Sequence, residues 1–205
     1  MTDVLITGGR IVTAVDNYIA DLLIGDGKIE AIGRELTASS AVKHDATGLL
    51  VMPGGVDVHT HMEFTLGAAE TCDTFETVPN GAPGVEFRLP LLYDGGVRTG
   101  KISLNRFVQL VSTTPAKMFG LFPRKGTIAV GSDADLVLFD PNKQHTLSAT
   151  THHSNVDYSL FEGRSVTGKV EKVFLRSELI VDGDRWLGQA GIGQYQKRSA
   201  SGAFL

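Results

Sequence analysis

Two histidines one residue apart, His59 and His61, follow the apolar run Leu49-Leu50-Val51-Met52 and the pair Gly54-Gly55. On an extended strand, alternate side chains share a face, so both imidazoles can reach one ion. Imidazole is a common ligand for zinc and similar metals, and the two glycines allow a close backbone approach that a side chain would resist. The chemistry offered by this spacing is metal binding at a strand end. A His-x-His pair in an arbitrary sequence is more often a pair of surface or hydrogen-bonded histidines, so its surroundings must decide.

Other donors are less well placed. His152 and His153 are adjacent, so in a strand their rings would face opposite sides and could not easily chelate one ion; they read as polar loop residues before a strand. His44, within Val42-Lys43-His44-Asp45, reads as an exposed sheet residue. His145 and the carboxylates Asp73 and Glu76 complete the inventory, and Glu63 could share the face of His61, two positions before it. Cys72 is the single cysteine. An intrachain disulfide is therefore excluded, in keeping with a reducing compartment, and Cys72 reads as a loop thiol without a role.

The elements around these residues are short strands at both ends of the chain and helices between them. Val4-Ile6, Ile11-Val12 and Leu22-Ile24 are apolar runs broken by glycine-rich turns. Asp26-Gly27 predicts a two-residue hairpin, because both positions tolerate positive φ, with Leu22-Ile24 and Ile29-Ile32 as arms. Leu136-Phe139 predicts a strand bounded by Asp135 and Asp140-Pro141, and Val170-Leu175 with Leu179-Val181 predicts a hairpin turning at Ser177-Glu178. Leu104, Phe107, Val108 and Val111 form one helical stripe, with Ser103 as N-cap. A second helix is predicted from Thr114 as cap, with Pro115 at its first position and Gly120 past its end.

Composition narrows the function classes. With 205 residues and 42% hydrophobic content the chain can bury a substantial core. The net charge of −4 is mild and scattered, with no basic stripe, so neither nucleic acid nor an anionic membrane is an expected partner. No apolar stretch approaches a membrane span, and Met1-Gly9 lacks a basic region followed by a long apolar core. The expected location is the cytoplasm. The tail from Gly188 to Leu205 is rich in Gly, Ser, Gln and basic residues, which predicts a flexible or partner-dependent arm.

Longer segments now carry a resemblance. Leu49 through His61 resembles the first barrel strand of the amidohydrolase superfamily, whose two histidines bind metal inside a (β/α)8 barrel. Asn80-Gly81-Ala82-Pro83-Gly84-Val85-Glu86, Arg88-Leu89-Pro90-Leu91-Leu92, Ser112 through Lys117, Lys125 through Leu136, Val156-Asp157-Tyr158-Ser159 and Glu162-Gly163 are similar, in order, to dihydropyrimidinase, also called D-hydantoinase. That resemblance implies a hydrolase that opens dihydropyrimidine or hydantoin rings to N-carbamoyl amino acids. It implies zinc or manganese as cofactor, His59 and His61 as metal ligands, and Asn80, Leu66 and Phe64 as substrate-binding residues. Asn80 would hold the ring through its backbone, and Phe64 and Leu66 would be pocket walls. The small cyclic amide is then the implied partner, and the family forms homotetramers.

The resemblance has a break near Thr77-Val78. A complete barrel takes roughly 250 residues, and only about fifty separate the His-x-His strand from the segment at Ser112. The chain resembles the two ends of a dihydropyrimidinase joined directly. The family's carboxylated lysine, two further histidines and aspartate, which complete its two-metal site, have no matching positions. Two imidazoles fall short of the three or four ligands of a catalytic zinc site, so weak metal binding and activity near background are expected.

The expected fold is mixed α/β: a β-sandwich built from the two chain ends plus remnants of an amidohydrolase (β/α)8 barrel. Residues 1–54 would form the N-terminal half of the sandwich, 55–122 the barrel remnant, 123–187 the C-terminal half and 188–205 the tail. Val56, Val58 and the apolar face of Leu104–Val111 would lose their barrel neighbours and stand exposed, favouring self-association. Two other readings stay open. One is a non-catalytic scaffold like the dihydropyrimidinase-related proteins, which are expected to lose the His-x-His pair that this chain keeps. The other is a dihydroorotase- or allantoinase-type hydrolase, which the segments at Asn80 and Lys125 fit less well.

Overall fold

A computed structural model describes residues 3–58, 84–153 and 157–200 together with the backbone of 65–66 and 69–70. Its N-terminal strands are β1 (Val4–Val12), β2 (Asn17–Gly25), β3 (Lys28–Gly33), β4 (Val42–Asp45) and β5 (Leu50–Pro53), followed by the two-residue strands β6 (Thr65–Leu66) and β7 (Ala69–Glu70). After the helices come β8 (Leu136–Thr146), β9 (Ser165–Leu175), β10 (Glu178–Asp182) and β11 (Arg185–Trp186). The β2–β3 hairpin forms as predicted, with Gly25 opposite Lys28 and positive φ at Asp26 and Gly27.

The two chain ends meet through hydrogen bonds. Nine strands form one sheet in the order β11-β10-β9-β8-β5-β1-β2-β3, with β4 also paired to β1, while β6 and β7 pair separately. The seam is antiparallel: Leu50 faces Phe139 and Pro53 faces Leu136. The halves expected as a sandwich are thus edge-joined in a single sheet. Along its length β1 changes partners, pairing in parallel with β4 at Val4–Thr7 and with β5 at Arg10–Ile11. The irregularity between Ile6 and Gly9 makes this change possible. Gly8 adopts φ +68 there, and its N–H is satisfied by Asp21 Oδ1 at 2.8 Å.

Each side of the sheet buries its own core. On one side Ile6, Leu22, Ile24, Val51, Leu136 and Phe174 pack together, so residues from both chain ends fill one interior. On the other, Val12, Leu50, Met52, Val137 and Phe139 receive the helical layer through Tyr93, Phe107 and Val108. This overturns the expectation for the helix: the stripe of Leu104, Phe107, Val108 and Val111 covers the sheet, with Phe107 and Val108 fully buried. Val56 is half-buried and Val58 is exposed. His44 is half-buried rather than exposed, since it packs edge-on against Phe174 with ring centroids 5.0 Å apart.

The helical layer begins with α1 (Arg88–Leu92), continued by a π-turn segment over Tyr93–Val97. α2 (Leu104–Val108) starts at the Ser103 cap, whose side chain accepts from the Arg106 N–H. The predicted break before Thr114 is absent. A π-turn segment over Gln109–Thr113 leads directly into α3 (Thr114–Met118). Thr114 is helical, and Pro115 at the start of α3 follows a wide turn that does not need its missing N–H. Gly120 takes φ +67 past the end, as predicted.

Three further expectations shift. β8 continues through Pro141 to Thr146, because its register slips between Asp140 and Gln144 and spares the proline a ladder bond. The β9–β10 turn is Arg176-Ser177, both at positive φ, so Glu178 belongs to the strand. The tail is tied down along residues 188–200: Arg176 donates to the Ile192 carbonyl, Arg124 to that of Lys197 at 2.6 Å, and the Ser199 N–H to that of Gly120 at 2.9 Å. Among the described residues no helix is long and apolar enough to cross a membrane.

Candidate functional site

β5 is buried at all four positions and leads into Gly54–Val58, the segment that ends where His59 begins. Both chain halves hold that segment. The Gly54 N–H donates to the Asp135 carbonyl at 2.8 Å and the Val56 N–H to the Val111 carbonyl at 3.0 Å. The Ser112 hydroxyl donates to the Gly54 carbonyl at 2.6 Å, and Arg88 Nη1 pairs with Asp57 Oδ2 at 2.8 Å. A Cβ on Gly54 would stand 3.4 Å from Asp135, in ordinary van der Waals contact.

Beside this segment lies a cavity of about 180 Å³, bordered by Gly54–Asp57 and by Lys125, Thr127, Asp133 and Asp135. Its wall is an ion cluster. Lys125 Nζ lies 3.0 Å from Asp133 Oδ2 and also pairs with Asp135, and Lys28 reaches Asp133 Oδ1 at 3.1 Å. The side chains of Lys125 and Asp133 are only 11% and 8% exposed, so neither could be left unpaired cheaply. Burial works against the Asp133 charge, but hydrogen bonds from Lys125 and Lys28 outweigh it and hold the carboxyl below its ordinary range. Asp135 Oδ1 also accepts from the Arg176 N–H at 3.1 Å. The cluster pairs two ammonium groups with two carboxylates, and its chemistry is positional: it fixes the loop that holds Gly54.

The sequence-predicted site residues are not brought together by the described part of the chain. His59, His61, Phe64 and Asn80 lie outside the described residues, as do Glu63, Cys72, Asp73 and Glu76. Leu66 falls in β6, opposite Ala69. His153, expected as an idle loop residue, is engaged by Glu86: its N–H donates to Oε2 at 2.7 Å and its Nδ1 meets Oε1 at 2.9 Å. His145 lies on β8, where burial first and Lys169 second push its basicity down.

Metal binding finds no support in this donor set. Among the described residues no group of three or more His, Cys, Asp or Glu side chains could hold an ion, and Lys125 already occupies the carboxylates nearest Gly54. The described residues do not fit a catalytic metal centre. Sequence reasoning missed Ser112, Lys125, Asp133 and Asp135 as the groups that position Gly54. A signal existed for the last two: Asp133 and Asp135 stand two apart, on one face of an extended segment.

Comparison with known proteins agrees with the fold. A family model described as Amidohydrolase family matches residues 70–183. The D-hydantoinase of Geobacillus stearothermophilus is 52% identical over 131 residues, 64% of this chain and 28% of that protein. The D-phenylhydantoinase of Escherichia coli O1:K1 / APEC is 40% identical over 152 residues, 72% of this chain and 33% of that protein. The chain therefore spans about a third of the length of these curated relatives or less. Two solved structures share the fold: a D-hydantoinase at TM-score 0.93 and 23% identity, covering 98% of this chain and 100% of that one, and the dihydropyrimidinase of Brevibacillus agri NCHU1002 at TM-score 0.91 and 23% identity, covering 96% and 99%.

Proposed function

Since the chain belongs to the amidohydrolase family, we propose that it descends from a metal-dependent hydrolase that opens cyclic amides, dihydropyrimidines and hydantoins, to N-carbamoyl amino acids. The observation that carries this reading is the four-point hold on residues 54–57 by Asp135, Val111, Ser112 and Arg88. Such anchoring suits a strand end that must present His59 and His61 in a set direction. In this reading those two imidazoles are the metal ligands, for zinc or manganese, while Asn80 holds the ring and Phe64 and Leu66 wall the pocket. Residues 55–122 are the remnant of a barrel between two sheet halves, 1–54 and 123–187, with 188–205 as tail.

We infer further that this chain alone turns over cyclic amides near background, because two imidazoles without additional donors hold a metal weakly. A cytoplasmic location and self-association, through exposed Val58, belong to the same proposal. The test is ring opening of dihydrouracil and hydantoin by the 205-residue chain with added zinc or manganese, beside a His59→Ala, His61→Ala double variant. Weak zinc binding that the double variant loses, with turnover near background in both, is the expected result. Robust turnover abolished by the substitutions would overturn the inference of inactivity, and zinc binding unchanged by them would remove the ligand assignment.

A further inference from the structure

A second cavity, of about 380 Å³, opens between α1, the β8–β9 ribbon and the β10–β11 turn. It shares no lining residue with the cavity beside Gly54. Its walls are chiefly apolar, with Phe87, Leu89 and Pro90 facing Val137, Val170 and Val173. That size and character match small-molecule sites, which combine apolar walls with a few convergent polar groups.

Two polar groups here are poised rather than satisfied. His145 Nδ1 is shut off from solvent and meets no hydrogen-bond partner among the described residues, a situation that costs about 1–3 kcal/mol unless something fills it. Lys169 keeps only 17% of its side chain exposed, and its ammonium pairs at 2.6 Å with Asp184, whose side chain is 72% exposed. A pair with so exposed a partner contributes about 1 kcal/mol or less, so another anion can take the place of Asp184 at little cost. Burial and Lys169 keep His145 neutral near pH 7, free to donate through whichever ring nitrogen carries the proton. The carboxylate of Glu86, also in the wall, is held at both oxygens by His153.

We propose that this cavity binds a small amphipathic carboxylic acid, with an aromatic or branched apolar body against Phe87, Pro90 and Val170 and its carboxylate between Lys169 and His145. The carboxylate exchanges for Asp184 on Lys169, beside the His145 ring in the same wall. The whole acid is on the order of a dozen non-hydrogen atoms, a size that such a cavity can enclose.

Trp186, the single tryptophan, lines the cavity while remaining 52% exposed, so its fluorescence reports occupancy directly. Titration of the 205-residue chain with 3-phenylpropanoate is expected to give a saturable change. The neutral 3-phenylpropanamide and the Lys169→Met variant should each bind about tenfold more weakly, the loss of one charge-assisted hydrogen bond. Asp184→Asn, an exposed change that removes the competing anion, should instead tighten binding about threefold. Circular dichroism checks that each variant folds, and the opposite directions of the two substitutions separate anion binding from general destabilisation. Equal affinity for acid and amide, no tightening in Asp184→Asn, or no saturable change would overturn the proposal. So would sedimentation showing that a second copy of the chain fills the cavity and excludes the acid.

Discussion

The hydroxyl of Ser112 donates at 2.6 Å to the carbonyl oxygen of Gly54, across 58 positions of the chain. Ser112 is fully buried, and this bond ties the helical layer to the end of β5. Ser112→Ala would leave the Gly54 carbonyl short of a donor. The expected cost is about 1–2 kcal/mol, read as a lower urea midpoint with an unchanged slope. An unaltered midpoint would show that the bond adds nothing to stability.

Lys125 is the hinge of the neighbouring ion cluster. Lys125→Met removes the ammonium shared by Asp133 and Asp135 and should destabilise by roughly 3 kcal/mol, as breaking one partner of a buried pair does. The double variant Lys125→Met, Asp135→Asn should recover part of that loss, since it also removes an unpaired charge. Equal midpoints for single and double variants would argue against the cluster as the cause.

Acid should weaken the same cluster in a defined order. The Asp133 carboxyl titrates below its ordinary value of 3.8 when folded, so the stability it confers is complete above that value. It is lost as pH falls through the lower, folded value. In Asp133→Asn that portion of the acid-dependent loss should vanish, as measured by urea midpoints between about pH 5 and pH 2.

The histidines set a separate dependence nearer neutrality. Burial first, then Lys172 for His44 and Lys169 for His145, lower both basicities from the ordinary 6.5. An unfolded chain then takes up protons that the folded chain resists, so stability is full above about pH 6.5 and falls as pH drops below it. Urea midpoints should decline between pH 7.5 and pH 5.5, and less steeply in His44→Gln. A midpoint that rises on acidification would contradict both assignments.

Phe107 anchors the helical layer without any exposed surface, against Tyr93 at a ring separation of 6.2 Å. Phe107→Ala should cost about 3–5 kcal/mol, measured by thermal or urea unfolding. A loss under about 1 kcal/mol would mean that the layer is not packed as described.

Local signals in the sequence were the most legible. Asp26-Gly27 announces its hairpin because two positive-φ positions are cheap for those residues, and Ser103 announces a cap because its side chain reaches the Arg106 N–H. The turn at Arg176-Ser177 was hidden, since neither residue favours positive φ; the Asp135 carboxylate accepting from the Arg176 N–H and the Ser177 hydroxyl accepting from the Gly27 N–H hold it instead. Pro115 and Pro141 suggested element ends by local rules, yet a π-turn segment and a register slip absorb them. The tail read as free from composition alone, whereas its ties run to Arg124, Gly120 and Arg176, far away in the chain. The positioning groups of the candidate site were obscure for the same reason: Ser112 and Asp135 matter through partners that only tertiary structure supplies.

The antiparallel seam between β5 and β8 makes everything between Pro53 and Leu136 an insertion between two neighbouring strands. Closing a loop costs chain entropy that grows only with the logarithm of its length, about 0.6 kcal/mol for each doubling. A connection of some eighty residues could therefore lengthen fourfold for about 1.2 kcal/mol without disturbing the Leu50–Phe139 register. The register of the seam is in this sense indifferent to the length of the connection, as long as the helical layer within it still supplies Tyr93, Phe107 and Val108 to cover the sheet.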